Sequence, residues 1–137
     1  HNHIHVFPNV IEIIIKMAKK YKIKLVRIPL EYGASGLIDD FSGEARSKIL
    51  KNRLRATKAF YGRLNMHDMD FGKLLPILKS IKNGTSELMV HPSYIGKKGD
   101  EFHQSRQREK EIKMLTGKRA ISAIKKLKIN LTSFSSL

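Results

Sequence analysis

His1-Asn2-His3-Ile4-His5-Val6-Phe7-Pro8 opens the chain with histidines at every second position and then meets a proline. Residues two apart share a face in an extended backbone, so this spacing predicts a strand with His1, His3 and His5 along one side. Imidazole is the commonest protein ligand for divalent transition metals, and two such rings on one strand face can reach the same ion. Pro8 cannot donate to a ladder, which puts the cluster at the C-terminal end of its strand. In β/α barrels, active sites are built at that end. A purification tag or a polar strand edge would give the same three histidines. Against a tag, the run passes without a linker into Val6-Phe7-Pro8-Asn9-Val10 and a patterned helix.

From Val10 to Tyr21 the pattern is helical. Val10, Ile11, Ile14, Ile15, Ala18 and Tyr21 form an apolar side, and Glu12–Lys16 stands in the favourable i,i+4 order. Asn9 is the expected N-cap. Lys22 to Ile28 reads as a strand ended by Pro29, with Ile23, Leu25 and Arg27 on one side. Strand, helix and strand with short joints imply parallel neighbours and a right-handed crossover. Leu30 to Gly43 is read as a loop, Glu44 to Arg55 as a helix, Thr57 to Tyr61 as a strand closed by Gly62, and Asp68 to Ile81 as a helix that Pro76 can kink. Asn83-Gly84 marks a turn. Thr85 to His91 is the next strand, with Glu87, Met89 and His91 on one face and a stop at Pro92. Tyr94 to Phe102 is a loop, Ser105 to Leu115 and Lys118 to Leu127 are helices divided by Gly117, and Lys128 to Phe134 alternates like a final strand.

Roughly five strands therefore interleave with four or five helices, an α/β order. A whole β/α barrel needs about 200 residues or more, and this chain has 137. The expected architecture is a partial (β/α) barrel lacking its N-terminal strands, with residues 1–137 as the C-terminal portion of a single domain. Cysteine is absent, so any metal must use histidine and carboxylate. The net charge of +15 favours polyanions or an anionic surface, yet the lysines are spread from Lys16 to Lys128 on polar helix faces. A solvated surface is the preferred reading, and nucleic acid is not expected as a partner, because no aromatic-interleaved basic strand is present. No apolar run reaches membrane-span length, and no signal peptide precedes His1, so a cytoplasmic location is expected.

Three stretches together resemble the YdjC-like carbohydrate deacetylases, which include chito-oligosaccharide and hopanoid-biosynthesis-associated deacetylases. They are the opening histidine run, Val26-Arg27-Ile28-Pro29-Leu30-Glu31, and Ser86-Glu87-Leu88-Met89-Val90-His91-Pro92. The second is similar to the family's Arg-x-Pro-x-Glu segment and the third to its Glu-x-x-x-His-Pro strand. Phe60-Tyr61-Gly62 and the run from Lys79 to Gly84 match in order and spacing. The resemblance implies a fold of the polysaccharide-deacetylase type and hydrolysis of the N-acetyl group of an amino sugar or glycolipid, with a divalent metal, Mg or Zn. It also implies an Asp-Asp strand and a further metal-binding histidine upstream, in a half that this chain lacks.

On that resemblance His1 is the expected metal ligand. His3 and His5 are substrate contacts, neighbours of the metal shell, or packed histidines. His91 is the acid or the stabiliser of the tetrahedral intermediate, Glu87 orients the His91 ring, and Arg27 orients a catalytic carboxylate. His67 and His103 are expected at the surface. The fragment alone is expected to be inactive and, with apolar faces exposed, to be either a marginal monomer or a homo-oligomer. Two rival readings remain: a metal-dependent amidohydrolase of another family, and a basic nucleic-acid-binding module.

Overall fold

Pro8 starts a helix rather than ending a strand. The computed structural model describes residues 3–95 and 106–137, so His1 and His103 lie outside the described residues. Helix α1 runs Pro8–Lys20 with Phe7 as N-cap. Its proline occupies the first turn, where a missing N–H costs nothing and φ is already helical. Ahead of it, Ile4–Val6 forms a 3-10 turn, entered through His3 in the left-handed region at φ 56°. The histidine-lined strand is thereby overturned across the described part of the run. Two constraints account for this. The chain must turn sharply to enter α1, and a three-residue period places His3 and Val6 on one buried side, at 9% and 1% exposure, while Ile4 points out.

Lys22 to Ile28 is extended but forms no continuous strand. It makes one isolated parallel bridge, Leu25 to Arg55, through Arg55 N–H to Lys24 O at 2.7 Å and Val26 N–H to Arg55 O at 2.8 Å. The expected parallel relation holds, with the intervening helix as crossover. The buried side chains are Val26 and Ile28, whereas Ile23 is exposed; Arg27 therefore points away from the core.

Helix α2 spans Leu37–Lys51, beginning seven residues before the expected Glu44. The residues taken for loop become helical because Ser42, Ala45 and Ile49 form a narrow buried stripe, and small side chains let a helix approach its neighbours closely. Phe41 meets Phe7 at 4.8 Å between ring centroids. That packing offsets Gly43 inside the helix, which costs about 1 kcal/mol relative to alanine. Glu12 bonds Lys48 at 3.0 Å across α1 and α2, in place of the expected pairing with Lys16.

Strand β1, Ala59–Tyr61, pairs with β2, Ser86–Leu88, in a small parallel sheet. Between them lies α3, Phe71–Ser80, capped by the Asp70 side chain, which accepts from Lys73 N–H at 3.0 Å. Helices α4, Arg106–Thr116, and α5, Lys118–Lys126, follow. The expected strand over Lys128 to Phe134 does not form; Leu131 is 78% exposed, and Phe134–Ser136 is a 3-10 turn. Alternation alone cannot make a strand where no neighbouring ladder accepts it.

The chain divides into two compact units. The first comprises residues 3–64, 83–87 and 133–137, around Val6, Ile11, Ile15, Val26, Ile28 and Ile49. The second comprises 65–82 and the described part of 88–132, around Met69, Leu74, Leu78, Met114 and Ala120. Among the described residues, no helix is long and apolar enough to cross a membrane.

Candidate functional site

The first unit gathers four of the expected site residues. The left-handed turn at His3 directs its ring inward, where it meets Phe60 edge-on at 5.9 Å and His5 at 5.9 Å. His5 Nε2 lies 2.9 Å from the Arg27 carbonyl. A carbonyl only accepts, so Nε2 carries the proton, and in the neutral ring Nδ1 keeps the lone pair. The Arg27 guanidinium donates from Nε to Glu87 Oε1 at 2.5 Å, and its terminal nitrogen pairs with the same oxygen. Its carbon stands 6.0 Å over the Phe60 ring, close enough for a cation–π contact. His5 and Arg27 also line an open cleft of about 350 Å³ with Ile14, Val26 and Phe134.

Glu87 is 9% exposed, and its Oε2 is buried without a hydrogen-bond partner among the described residues. A half-satisfied buried carboxylate is costly. Its Oε1 is held by Arg27, a pairing the sequence did not point to.

Burial pushes the His3 pKa down to about 4, assisted by the positive charges of His5, Arg27 and Arg63. The ring is therefore neutral at pH 7. Its folded pKa lies below the ordinary value of 6.5, so the unfolded chain binds the proton first. Stability is full above about pH 6.5 and is lost progressively as the pH falls towards 4. Between pH 7.5 and 5.5, urea unfolding is expected to show a loss of about 1 kcal/mol that a His3→Phe variant lacks; equal losses in both proteins would refute the assignment.

Glu31 holds the loop that follows β1. Its buried carboxylate accepts from the backbone N–H of Gly62 at 3.0 Å, Arg63 at 2.6 Å and Leu64 at 3.2 Å. Gly62 has φ 104°, a conformation that favours glycine, and this turn lets successive amides converge on one anion. Arg63 then reaches back to the Pro29 carbonyl at 3.2 Å and grips Asp39, in the first turn of α2, with both terminal nitrogens. Three segments distant in sequence are tied together in this way. The motif reading contained Glu31 but gave it no role, and Arg63 and Asp39 were missed; the one local signal was a charge beside Gly62.

In the second unit, His91 sits just before Pro92, and its backbone N–H donates to Glu111 Oε2 at 2.5 Å. Glu111 is 1% exposed, on the α4 face that also buries Met114. A charge on a buried helical stripe is its sequence signature. Burial lowers the His91 pKa, Glu111 opposing and Arg108 reinforcing the shift. His67 is exposed, as expected.

No three His, Asp or Glu side chains gather as a potential metal site among the described residues. His3 and His5 offer imidazole nitrogens, but His5 Nε2 is engaged by Arg27. The described donors thus do not by themselves fit a divalent ion.

A family model described as YdjC-like protein matches residues 1–126. A carbohydrate deacetylase of Thermoanaerobacter pseudethanolicus is 31% identical over 143 residues, covering 100% of this chain and 50% of that protein. The human carbohydrate deacetylase is 27% identical, with 85% of this chain and 45% of the relative covered. The Brevibacillus brevis enzyme of the same name is 26% identical, with 100% and 51% covered. The chain thus spans about half the length of the curated relatives it matches. An Enterococcus faecalis V583 protein of solved structure, named for cellobiose-phosphate cleavage, superposes with a TM-score of 0.66 at 17% identity, over 99% of this chain and 50% of that one. That likeness shows the α/β fold alone.

Proposed function

Since the chain belongs to the YdjC-like family, we propose that it forms the C-terminal part of a metal-dependent carbohydrate deacetylase that hydrolyses an N-acetyl group on an amino sugar. The observation that carries this reading is the cluster of His3, His5, Arg27 and Glu87. It brings together residues from all three motif stretches, two of them 60 positions apart, and its His5 and Arg27 line an open cleft. Polar groups of this kind converging on a cleft are what a sugar site requires.

Hydrolysis adds water to the acetamide carbonyl, passes through a tetrahedral oxyanion, and breaks the C–N bond to give acetate and an amine. His5 and His3 contact the sugar in this reading. Arg27 holds the Glu87 carboxyl in place. His91, neutral at pH 7 because its pKa is lowered, donates its ring N–H to the oxyanion; a depressed pKa suits that role better than storing a proton. His1 is this chain's donor to the divalent metal, Mg or Zn, which when bound would polarise the amide carbonyl. The aspartate and the second metal-binding histidine implied by the family belong to the upstream half of the relatives.

Acetate release from N-acetylglucosamine oligosaccharides tests the proposal. The 137-residue chain is expected to release none above background, whereas the protein carrying the upstream residues is active and loses activity to chelator. In that longer protein, His91→Gln lowers kcat by about a hundredfold, as for loss of one oxyanion donor. Robust turnover by the chain alone, or full activity in the His91 variant, would refute these roles.

A further inference from the structure

The C-terminal stretch carries a charge that neither core nor polar cluster employs. From Ile112 to Leu137 there are six basic residues, Lys113, Lys118, Arg119, Lys125, Lys126 and Lys128, and no Asp or Glu. Two have partners: Lys113 lies 3.8 Å from Glu109, and the Arg119 guanidinium lies 4.2 Å over the Phe71 ring. The other four are exposed and join no ion pair among the described residues.

Their placement follows from the helix. Helix α5 buries Ala120 and packs Ala123 and Ile124 against the second core. At about 100° per residue, Lys118, Ser122 and Lys125 then run along the opposite side, with Lys126 beside them. Ile121, next to Lys125 around the helix, is 43% exposed, and past the helix Leu131 is 78% exposed. A phosphate backbone would use the lysines but would have no use for the apolar groups. The interface of an anionic bilayer uses both, drawing ammonium groups to its headgroups and taking shallow apolar contacts at the acyl boundary. Because the apolar side of α5 is already packed into the core, contact is made by its lysine face.

We propose that the outward face of α5, continued to Leu131, is a docking surface for an anionic lipid bilayer. This inference does not rest on the deacetylase reading.

Cosedimentation with vesicles tests it. The protein is expected to bind equimolar phosphatidylglycerol–phosphatidylcholine vesicles and to ignore pure phosphatidylcholine, with binding weakened by salt. Each basic residue near such a surface contributes about fivefold in affinity, and a reversal to glutamate removes one attraction and adds one repulsion, so Lys125→Glu with Lys126→Glu should weaken binding by about 600-fold. The same reversal at Lys16 and Lys20 on α1 should have less than about a tenth of that effect. Ile121→Ser with Leu131→Ser, which leaves charge unchanged at two exposed positions, should weaken it severalfold; far-UV circular dichroism checks that each variant stays folded. Equal losses from the α1 and α5 reversals would overturn the proposal, as would an affinity indifferent to the serine substitutions. Tighter binding to a short DNA duplex with the same dependence on Lys125 and Lys126 would assign the face to nucleic acid and also overturn it.

Discussion

Replacing Glu31 by alanine is expected to destabilise the chain by about 3–5 kcal/mol, measured as the fall in unfolding free energy in urea. The carboxylate accepts three backbone N–H groups at 3.0, 2.6 and 3.2 Å, and alanine leaves all three without an acceptor. Each buried orphan costs about 1–3 kcal/mol. Gly62 is buried and pays in full, whereas water can reach the exposed Leu64, which holds the total below the sum of maxima. The charge of Arg63 is not orphaned, because Asp39 keeps it paired. The cost therefore reports the amides rather than a lost ion pair. Glu31→Gln retains one acceptor oxygen and should lose about half as much. A loss under about 1 kcal/mol for alanine would show that the loop holds itself without the carboxylate. Because ordinary domains are stable by only about 5–15 kcal/mol, the alanine variant should lie near the edge of folding. A second expected sign is faster proteolysis within the 62–64 loop.

Arg27→Ala is expected to cost about 3 kcal/mol, the lower end of the range for stranding one member of a buried pair. The lower end applies because the guanidinium is 38% exposed, while Glu87 is only 9% exposed. With Arg27 gone, Glu87 holds a buried charge with neither oxygen bonded by the residues described here, since Oε2 already lacks a partner. Glu87→Gln in the same protein should therefore recover much of the loss by removing that charge, although Glu87→Gln alone is destabilising. A double-mutant cycle from urea midpoints measures this coupling directly. Additive losses from the two substitutions would mean that the contact contributes nothing beyond its separate parts. Arg27→Lys is not expected to rescue, because an ammonium cannot present two donors to Oε1 while lying over Phe60.

Sequence patterns legible within a single element survived folding. Helices α1, α3 and α5 follow from apolar residues at helical spacing, and Gly117 divides α4 from α5 as expected, whereas α3 starts at Phe71 instead of Asp68. The histidine, Arg-x-Pro-x-Glu and Glu-x-x-x-His-Pro motifs were sufficient to resemble one family, and the match over residues 1–126 bears this out. Elements that depend on a distant partner fared worse. The alternation at Ile129 and Leu131 suggested a strand, but no ladder took it up. Residues 37–43 looked like a loop until a stripe of small side chains found a surface to pack on. His3 and His5 alternate as strand residues do, yet entry into α1 bent them into a tight turn.

The order of the helices, the family and the basic balance were thus written in the chain itself, because neighbours three or four positions apart interact however the rest is arranged. The long-range polar pairings were not. Arg27 finds Glu87 across 60 positions, and Glu31 reaches amides more than 30 positions away. Such contacts carry no local signature: a buried charge selects whichever opposite charge or N–H donor the packed chain delivers, and only the tertiary structure determines which one arrives.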